Sequence, residues 1–186
     1  MGTPLKPLPA KLIVGLIFKD PKLSDKARRF LSKRFGPVDF VSPVLDFNLT
    51  DYYENEMGKG LKRSFISFAK LIAPESLPEI KHFTNALEKK MLSGNNKRGI
   101  NIDPGYVTLS KLILASTKNF SHRIYAKKDI FLEITLHFKD GKFEPGRWTY
   151  PDYRSDSHIA IFNEIREKYY RQIEKKYGLP QISRCV

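Results

Sequence analysis

Ile100-Asn101-Ile102-Asp103-Pro104-Gly105-Tyr106, continued by Val107-Thr108-Leu109-Ser110-Lys111, is the stretch on which the reading of the fold turns. A short apolar strand runs into Asp, Pro, Gly and Tyr, the residue types of a β-turn with Pro second and Gly third. Beyond it, Leu109, Leu112, Ile113 and Ser116 recur at helical spacing, with Thr108 in the N-cap place. The stretch therefore predicts a strand, a turn and a short helix. Asp103 and Tyr106 would stand in the turn, and Ser110 and Lys111 just inside a helix N-terminus, where backbone N–H groups favour anions. The plainer reading of the same residues is a β-turn that Asp103 caps without any ligand. The stretch is not a Walker loop, which needs Gly directly before Lys-Ser/Thr, and it lacks the further glycines of a dinucleotide fingerprint.

Upstream, Lys11 to Phe18 is apolar on both alternating faces and suits a central strand covered on both sides. A helix from Pro21 to Ser24 onward carries Ala27, Phe30, Leu31 and Phe35 as its stripe and ends at Gly36. Val38 to Phe47, with Pro43 inside it, reads as an edge or bulged strand, and Leu61 to Ile72 as a third strand. Glu75 to Leu92 reads as a helix with Leu77, Ile80, Thr84, Leu87 and Met91 on one face. Downstream, His122 to Ala126, Asp129 to Phe138 and Lys142 to Glu144 predict a meander, and Ser155 to Tyr177 a long helix. The whole predicts a single-domain α+β fold: a mixed β-sheet with packed helices, built from a ferredoxin-like β-α-β-β-α-β start, a β-meander and a long C-terminal helix. Residues 1–10 are Pro-rich and read as an extended arm, 11–178 as the domain and 179–186 as a tail.

Composition bounds the function class. With 186 residues the chain can bury a full core. Its 33 Lys and Arg against 20 Asp and Glu give a formal charge of +13, which points to anionic partners. A lysine-rich solvated surface would produce the same excess. No apolar run spans a bilayer and the N-terminus has no signal-peptide core, so no membrane partner is expected. The single cysteine, Cys185, cannot form an internal disulfide, which fits the reducing cytoplasm.

Four groups of residues suit chemistry. In the meander, a three-residue loop at Lys127 to Asp129 keeps the apolar residues of the middle strand on one face. It sets Ile124 opposite Leu132 and Arg123 opposite Glu133. The Asp140-Gly141 turn sets Glu144 opposite His137. The polar face would then carry Arg123, Glu133, Thr135, His137 and Glu144, a ligand floor or an acid/base set, or else a solvated face with one cross-strand ion pair. In Asn48 to Gly58, Asp51 with Glu56 suits ligand binding through a divalent cation that meets phosphate oxygens, and Tyr52 or Tyr53 suits base stacking, against a plain connecting turn. In Trp148-Thr149-Tyr150-Pro151-Asp152-Tyr153-Arg154, the residues Trp148, Tyr150 and Arg154 interleave aromatics with a cation, as nucleotide stacking needs, although aromatics before a helix also staple it to the core. The fourth group is the opening stretch itself. No nucleophilic serine motif, compact metal-ligand motif or zinc spacing is present.

These stretches together resemble a known family. Lys11 to Phe18, Thr50-Asp51-Tyr52-Tyr53 with Glu56-Met57-Gly58, and Asn101 to Lys111 carry the similarity, with Ser121 to Tyr125, Phe143-Glu144-Pro145 and Trp148 to Ser155. They are similar to a bacterial family catalogued as domain of unknown function 4416. The resemblance implies a single-domain cytoplasmic bacterial protein, and implies neither an activity nor a catalytic set. Three functions are compatible with the residues. The first is binding of a nucleotide, RNA or another phosphorylated metabolite. The second is an enzyme on such a substrate, with Asp103, Glu133 and His137 as acid/base groups and Lys111 and Arg123 holding the anion. The third is an interaction protein without a ligand. Cofactor and oligomeric state are not specified by the sequence.

Overall fold

The computed structural model describes residues 3–4, 6–48, 50, 52–93 and 97–178. β1 (Ala10–Phe18) is buried along its whole length, as its two-sided apolar run requires. α1 (Pro21–Phe35) starts at Asp20, whose side chain accepts from the Lys22 N–H at 2.9 Å, and stops at Gly36 with φ +98°. Only Ala27 and Leu31 of its expected stripe are fully buried, and Phe30 is half exposed. The chain continues through β2 (Val38–Val41), β3 (Leu45–Asp46), the single-turn helix α2 (Glu54–Met57) and β4 (Lys62–Ile72). Pro43 splits the expected Val38 to Phe47 strand into β2 and β3, both at the sheet edge. α3 (Leu77–Lys90), β5 (Leu92–Ser93), β6 (Lys97–Arg98), β7 (Ile100–Val107), β8 (Lys111–Ser116), β9 (Ile124–Lys127), β10 (Ile130–Lys139), β11 (Lys142–Pro145) and α4 (Asp156–Tyr177) complete the fold.

The main sheet runs β11-β10-β8-β7-β1-β4-β2, and its paired strands are all antiparallel. The β7-β1-β4-β2 part is the ferredoxin-like order. Each crossover steps over one strand, so the strands it joins in parallel are never neighbours, and the mixed character expected of the sheet is absent. Ala27 and Leu31 of α1 and Ile80 and Leu87 of α3 pack with Leu12, Val14, Ile66 and Ile102 on one face. Ile161, Phe162 and Ile165 of α4 pack with Ile13, Phe65, Leu114 and Leu136 on the other. Lys11 is fully buried in this second contact region. Its Nζ donates to Asp39 Oδ2 at 2.6 Å, Gln172 Oε1 at 2.8 Å and the Phe68 carbonyl at 3.1 Å, which uses all three donors and ties α4 to the sheet.

The opening stretch departs from its expected shape. Asp103-Pro104-Gly105-Tyr106 is the middle of β7 and not a turn: Asp103 lies opposite Gly15 and Pro104 opposite Val14. Leu109 to Ser116 is not a helix either. Lys111–Ser116 is β8, with Leu112 and Leu114 in the α4-side core and Ile113 and Ala115 against Leu77. The turn lies at Thr108 to Ser110, where Thr108 Oγ1 accepts from the Lys111 N–H at 3.2 Å. Ser110 and Lys111 therefore border a strand, and the expected anion-binding helix N-terminus does not exist.

Pro104 and Gly105 have other work. The β7–β8 ladder holds only Gly105 to Leu114, Tyr106 to Ile113 and Val107 to Leu112. A Cβ at Gly105 would stand 2.3 Å from the Ile113 carbonyl oxygen, so only glycine allows this approach. Pro104, the next residue, has no N–H to offer Ala115, and the ladder ends there. Beyond that point β7 and β8 part.

The meander keeps its expected register by a different route. Lys128 and Asp129, with φ +50° and +58°, form a two-residue turn, and a bulge at Ile130/Phe131 restores Ile124 opposite Leu132. A second bulge, between Ile134 and Leu136, reverses the alternation of β10. Leu136 thereby turns to the α4 side and Ile134 is left 59% exposed. His137 and Glu144 do lie opposite each other, 3.9 Å apart, but at an exposed place off the face that holds Glu133.

Candidate functional site

Where β7 and β8 part, the free edge of β7 must be satisfied by something other than a strand. α3 supplies it. Glu88 Oε1 accepts from the Ile102 N–H at 2.6 Å, and Lys81 Nζ reaches Asp103 Oδ1 at 2.9 Å and the Ile102 carbonyl at 3.5 Å. The split encloses a cavity of about 540 Å³. Asn101 and Asp103 of β7, Leu114 and Ser116 of β8 and Glu133 of β10 form its sheet walls, and Lys81, Asn85 and Glu88 its α3 wall. Tyr52 and Tyr53 from the segment before α2, Lys118 and Phe120 from the β8–β9 connection, and Tyr150 to Tyr153 also line it, as do Arg63, Arg98 and Arg123.

Its charges are mostly paired. Arg63 Nη1 donates to Asp152, and its Nη2 to the Tyr153 hydroxyl at 2.7 Å, with the guanidinium 4.6 Å from the Tyr153 ring centre. Arg123 Nε donates to Glu133 Oε2 at 2.7 Å, while its other nitrogens reach Ser116 Oγ at 2.7 Å, the Lys118 carbonyl at 3.0 Å and the Tyr150 hydroxyl at 2.5 Å. Arg98 bonds Asn101 Oδ1 at 2.8 Å, approaches Glu88 at 3.4 Å and also holds Glu56. Lys81 holds Asp103. Among the described residues Lys118 alone of the lining cations has no carboxylate; it holds the Tyr52 hydroxyl, 4.0 Å above that ring's centre, at the mouth. One donor is left over: the Nε of Arg63 is buried and has no acceptor.

Burial dominates the titration of these groups. It pushes the Glu88 carboxyl up to about 7, against the opposing charge of Lys81. Burial also acts to raise Asp103, but Lys81, with Arg63 and Asn101, more than offsets it and holds that carboxyl below its ordinary range. The Tyr53 and Tyr153 phenols are pushed well up by burial. Behind the cavity, burial and then Arg63 lower His158 to about 4.

Glu88 and His158 oppose each other in the stability profile. The native state holds the Glu88 proton from its ordinary 4.5 up to about 7, so this group's contribution is lost as pH rises through that window. His158 resists protonation between about 4 and its ordinary 6.5, so its contribution grows as pH rises there. Glu88→Gln keeps an acceptor for Ile102 and removes one slope. Unfolding free energies of the wild type and this variant are expected to diverge by up to about 3 kcal/mol between pH 4.5 and 7, the wild type losing ground. Parallel curves would show that Glu88 does not titrate in that window.

The structure brings Tyr52, Tyr53, Asp103, Arg123, Glu133 and Tyr150 to one cavity from five separate parts of the chain. Asp51 lies outside the described residues. Tyr106 packs toward Leu77 on the far face, and Ser110 and Lys111 lie at the β7–β8 turn. Arg154 spans its own loop, bonding the carbonyls of Thr149 and Arg147, and Trp148 stands outside the mouth against His122. His137 and Glu144 do not line it. The sequence reading missed Arg63, Lys81, Glu88 and Asp152 as site residues. Lys81 and Glu88, seven apart on α3, border the apolar stripe, where charge normally faces water, and Arg63 follows Lys62 in a strand that also carries Ser64, Ser67 and Lys70, so neither pattern signals buried charge.

The fold and cavity define an α+β protein whose ferredoxin-like sheet is extended by a meander and opened between two strands to hold a charged cavity. No helix among the described residues is long and apolar enough to cross a membrane. The model of the family described as a domain of unknown function, DUF4416, matches residues 8–169, and the chain belongs to that family. Neither the curated proteins nor the solved structures give a significant match to the chain.

Proposed function

We propose that this protein binds a phosphorylated ligand of nucleotide size, with its polar ring and sugar in the cavity and its phosphate at the mouth. One observation carries the reading: among the described residues, the interior cations are each paired with a carboxylate, while Lys118 at the mouth is not. A paired interior suits neutral groups rich in hydrogen-bond donors, such as base amino groups and ribose hydroxyls, and an unpaired lysine suits phosphate. The volume, about 540 Å³, is in the range of small-molecule sites. The excess charge of +13 would draw anions toward it. A reducing cytoplasm, in a bacterium, is the setting that the lone cysteine and the family resemblance favour.

Thermal unfolding in the presence of nucleoside mono- and diphosphates, nucleosides and sugar phosphates tests this. A ligand at a hundred times its Kd adds about 2.7 kcal/mol. For a chain of this size that raises Tm by roughly 5–10 °C. Lys118→Ala should lose most of the shift given by a nucleotide and keep the smaller one given by its nucleoside. Affinity for the nucleotide should rise from pH 8 to pH 6 as Glu88 takes up its proton and the cavity loses a negative charge. A panel in which nothing raises Tm would count against the proposal.

Glu88 favours a second reading, catalysis on the bound ligand. A buried carboxyl poised at about 7 in a cavity is placed for general acid/base work at neutral pH, with Asp103 and Glu133 beside it on the walls. Loss of turnover with retained binding in Glu88→Gln would distinguish that reading from binding alone.

A further inference from the structure

We infer that the ligand is the end of a single-stranded nucleic acid, its terminal nucleotide in the cavity and its neighbouring bases stacked on an aromatic ladder at the mouth. This rests on the nucleotide reading above and extends it. Phe120, which lines the cavity, stacks on His122 with ring centres 6.0 Å apart and planes within 12°. His122 stacks in turn on Trp148, 5.4 Å apart and within 10°. The three rings thus form one run of parallel faces leading outward from the cavity. The ladder lies against the cavity wall: His122 Nε2 is 3.3 Å from Glu133 Oε2, the oxygen that accepts from Arg123, without a hydrogen bond between them.

The two end rings of the stack are not core residues. Phe120 is 50% exposed and Trp148, the only tryptophan of the chain, 56% exposed. Large aromatic side chains left so open, in parallel stack, serve as platforms for bases, because every base has a π-face. The surroundings supply the charge a backbone needs. Arg147 lies over Trp148 with its Cζ 5.2 Å from the ring centre, and Lys118 lines the cavity together with Phe120. A free mononucleotide would use the cavity and Lys118 and leave His122 and Trp148 idle. A strand uses both, with Lys118 on the phosphate that joins the enclosed nucleotide to the stacked one.

The lone tryptophan reports on this directly. Its fluorescence, excited at a wavelength where bases do not absorb, would be titrated with the four nucleoside monophosphates and with hexamers of adenylate, uridylate and cytidylate, in ribose and deoxyribose form. The expected result is that at least one hexamer quenches Trp148 and binds at least tenfold tighter than its monomer, with affinity falling steeply as salt rises. Calorimetry should show hexamer affinity reduced about tenfold in Trp148→Ala and in Phe120→Ala, and in Trp148→Ala by much more than monomer affinity. If a monomer stabilises the protein but no hexamer binds tighter or quenches, the strand is overturned and the nucleotide reading stands. If hexamers bind tightly but both variants keep their affinity, stacking on the ladder is overturned. If neither monomers nor hexamers bind, both readings fall.

Discussion

Replacing Arg63 by alanine is expected to cost about 3–5 kcal/mol of stability, because it strands a buried carboxylate. The Arg63 and Asp152 side chains are 5% and 8% exposed, and the guanidinium is the bonded partner of both Asp152 and the Tyr153 hydroxyl. It also packs against the rings of Phe47, Phe65 and Tyr153, at 5.5, 4.9 and 4.6 Å. A Cβ at Gly15 would crowd the Phe65 ring at 3.1 Å and touch Arg63 Nη2 at 3.4 Å. Loss of the cation leaves Asp152 charged and unpaired on the cavity wall. For a chain of this length the loss corresponds to a fall in Tm of roughly 6–20 °C. The pair Arg63→Met with Asp152→Leu should recover most of it, since a well-packed apolar replacement of a buried pair is often nearly neutral. Denaturant unfolding of the three proteins is the measurement. A change under 1 kcal/mol for Arg63→Ala, or a double variant no better than the single one, would show that the pair does not hold the cavity wall.

The second large effect is expected at Gly105, although its loss amounts to a single methyl group added. A Cβ there meets the Ile113 carbonyl oxygen at 2.3 Å and Leu114 Cδ2 at 2.6 Å. Leu114 can turn aside, but the carbonyl belongs to the β7–β8 ladder and cannot. Gly105→Ala should therefore push apart the three rungs that join the meander to the ferredoxin-like half, destabilising by about 3 kcal/mol. That is a fall in Tm of roughly 6–12 °C. Amide exchange should locate the damage, with protection lost first at Leu112 to Leu114. A Gly105→Ala protein as stable as the wild type would mean that the two strands are not held at this distance.

Pro104 and Gly105 also show why the sequence misled at its most telling stretch. Their residue types suit a β-turn, and nothing local says otherwise. What fixes them is a strand that approaches from later in the chain: Gly105 because Ile113 comes too close for a side chain, Pro104 because the ladder stops where its N–H is missing. β8 was misread for a related reason. Lys111-Leu112-Ile113-Leu114-Ala115-Ser116 is buried on both faces, and a short apolar run carries helical and strand spacing equally well. The ferredoxin-like order, by contrast, could be read from long elements with clear periods. So could the Arg123–Glu133 pairing, where one-residue slips expose a whole face, even though a bulge rather than a longer loop sets the register.

The candidate residues divide the same way. Tyr52, Tyr53, Asp103, Arg123, Glu133 and Tyr150 stood out as chemistry-bearing types in short polar contexts, and all six line the cavity. His137 and Glu144 were lost to a bulge at Ile134/Leu136, which no residue in β10 announces. Lys81 and Glu88 went unseen because, on an amphipathic helix, charges beside the apolar stripe normally face water. Here they face the open edge of β7, and that edge exists only because β8 has left it.

Whether the split in the sheet is a ligand site is most directly tested at Asn85. Its side chain lines the cavity from α3 and, among the described residues, takes part in none of the ion pairs or hydrogen bonds that build the walls. Asn85→Trp should fill the space without breaking them. The measurement is a calorimetric titration of wild type and Asn85→Trp with whichever nucleotide raises Tm most. The expected result is saturable binding to the wild type and at least a hundredfold loss in the variant, with its unfolding transition retained. Equal affinity for the two proteins would place the ligand elsewhere and contradict a site in the β7–β8 split.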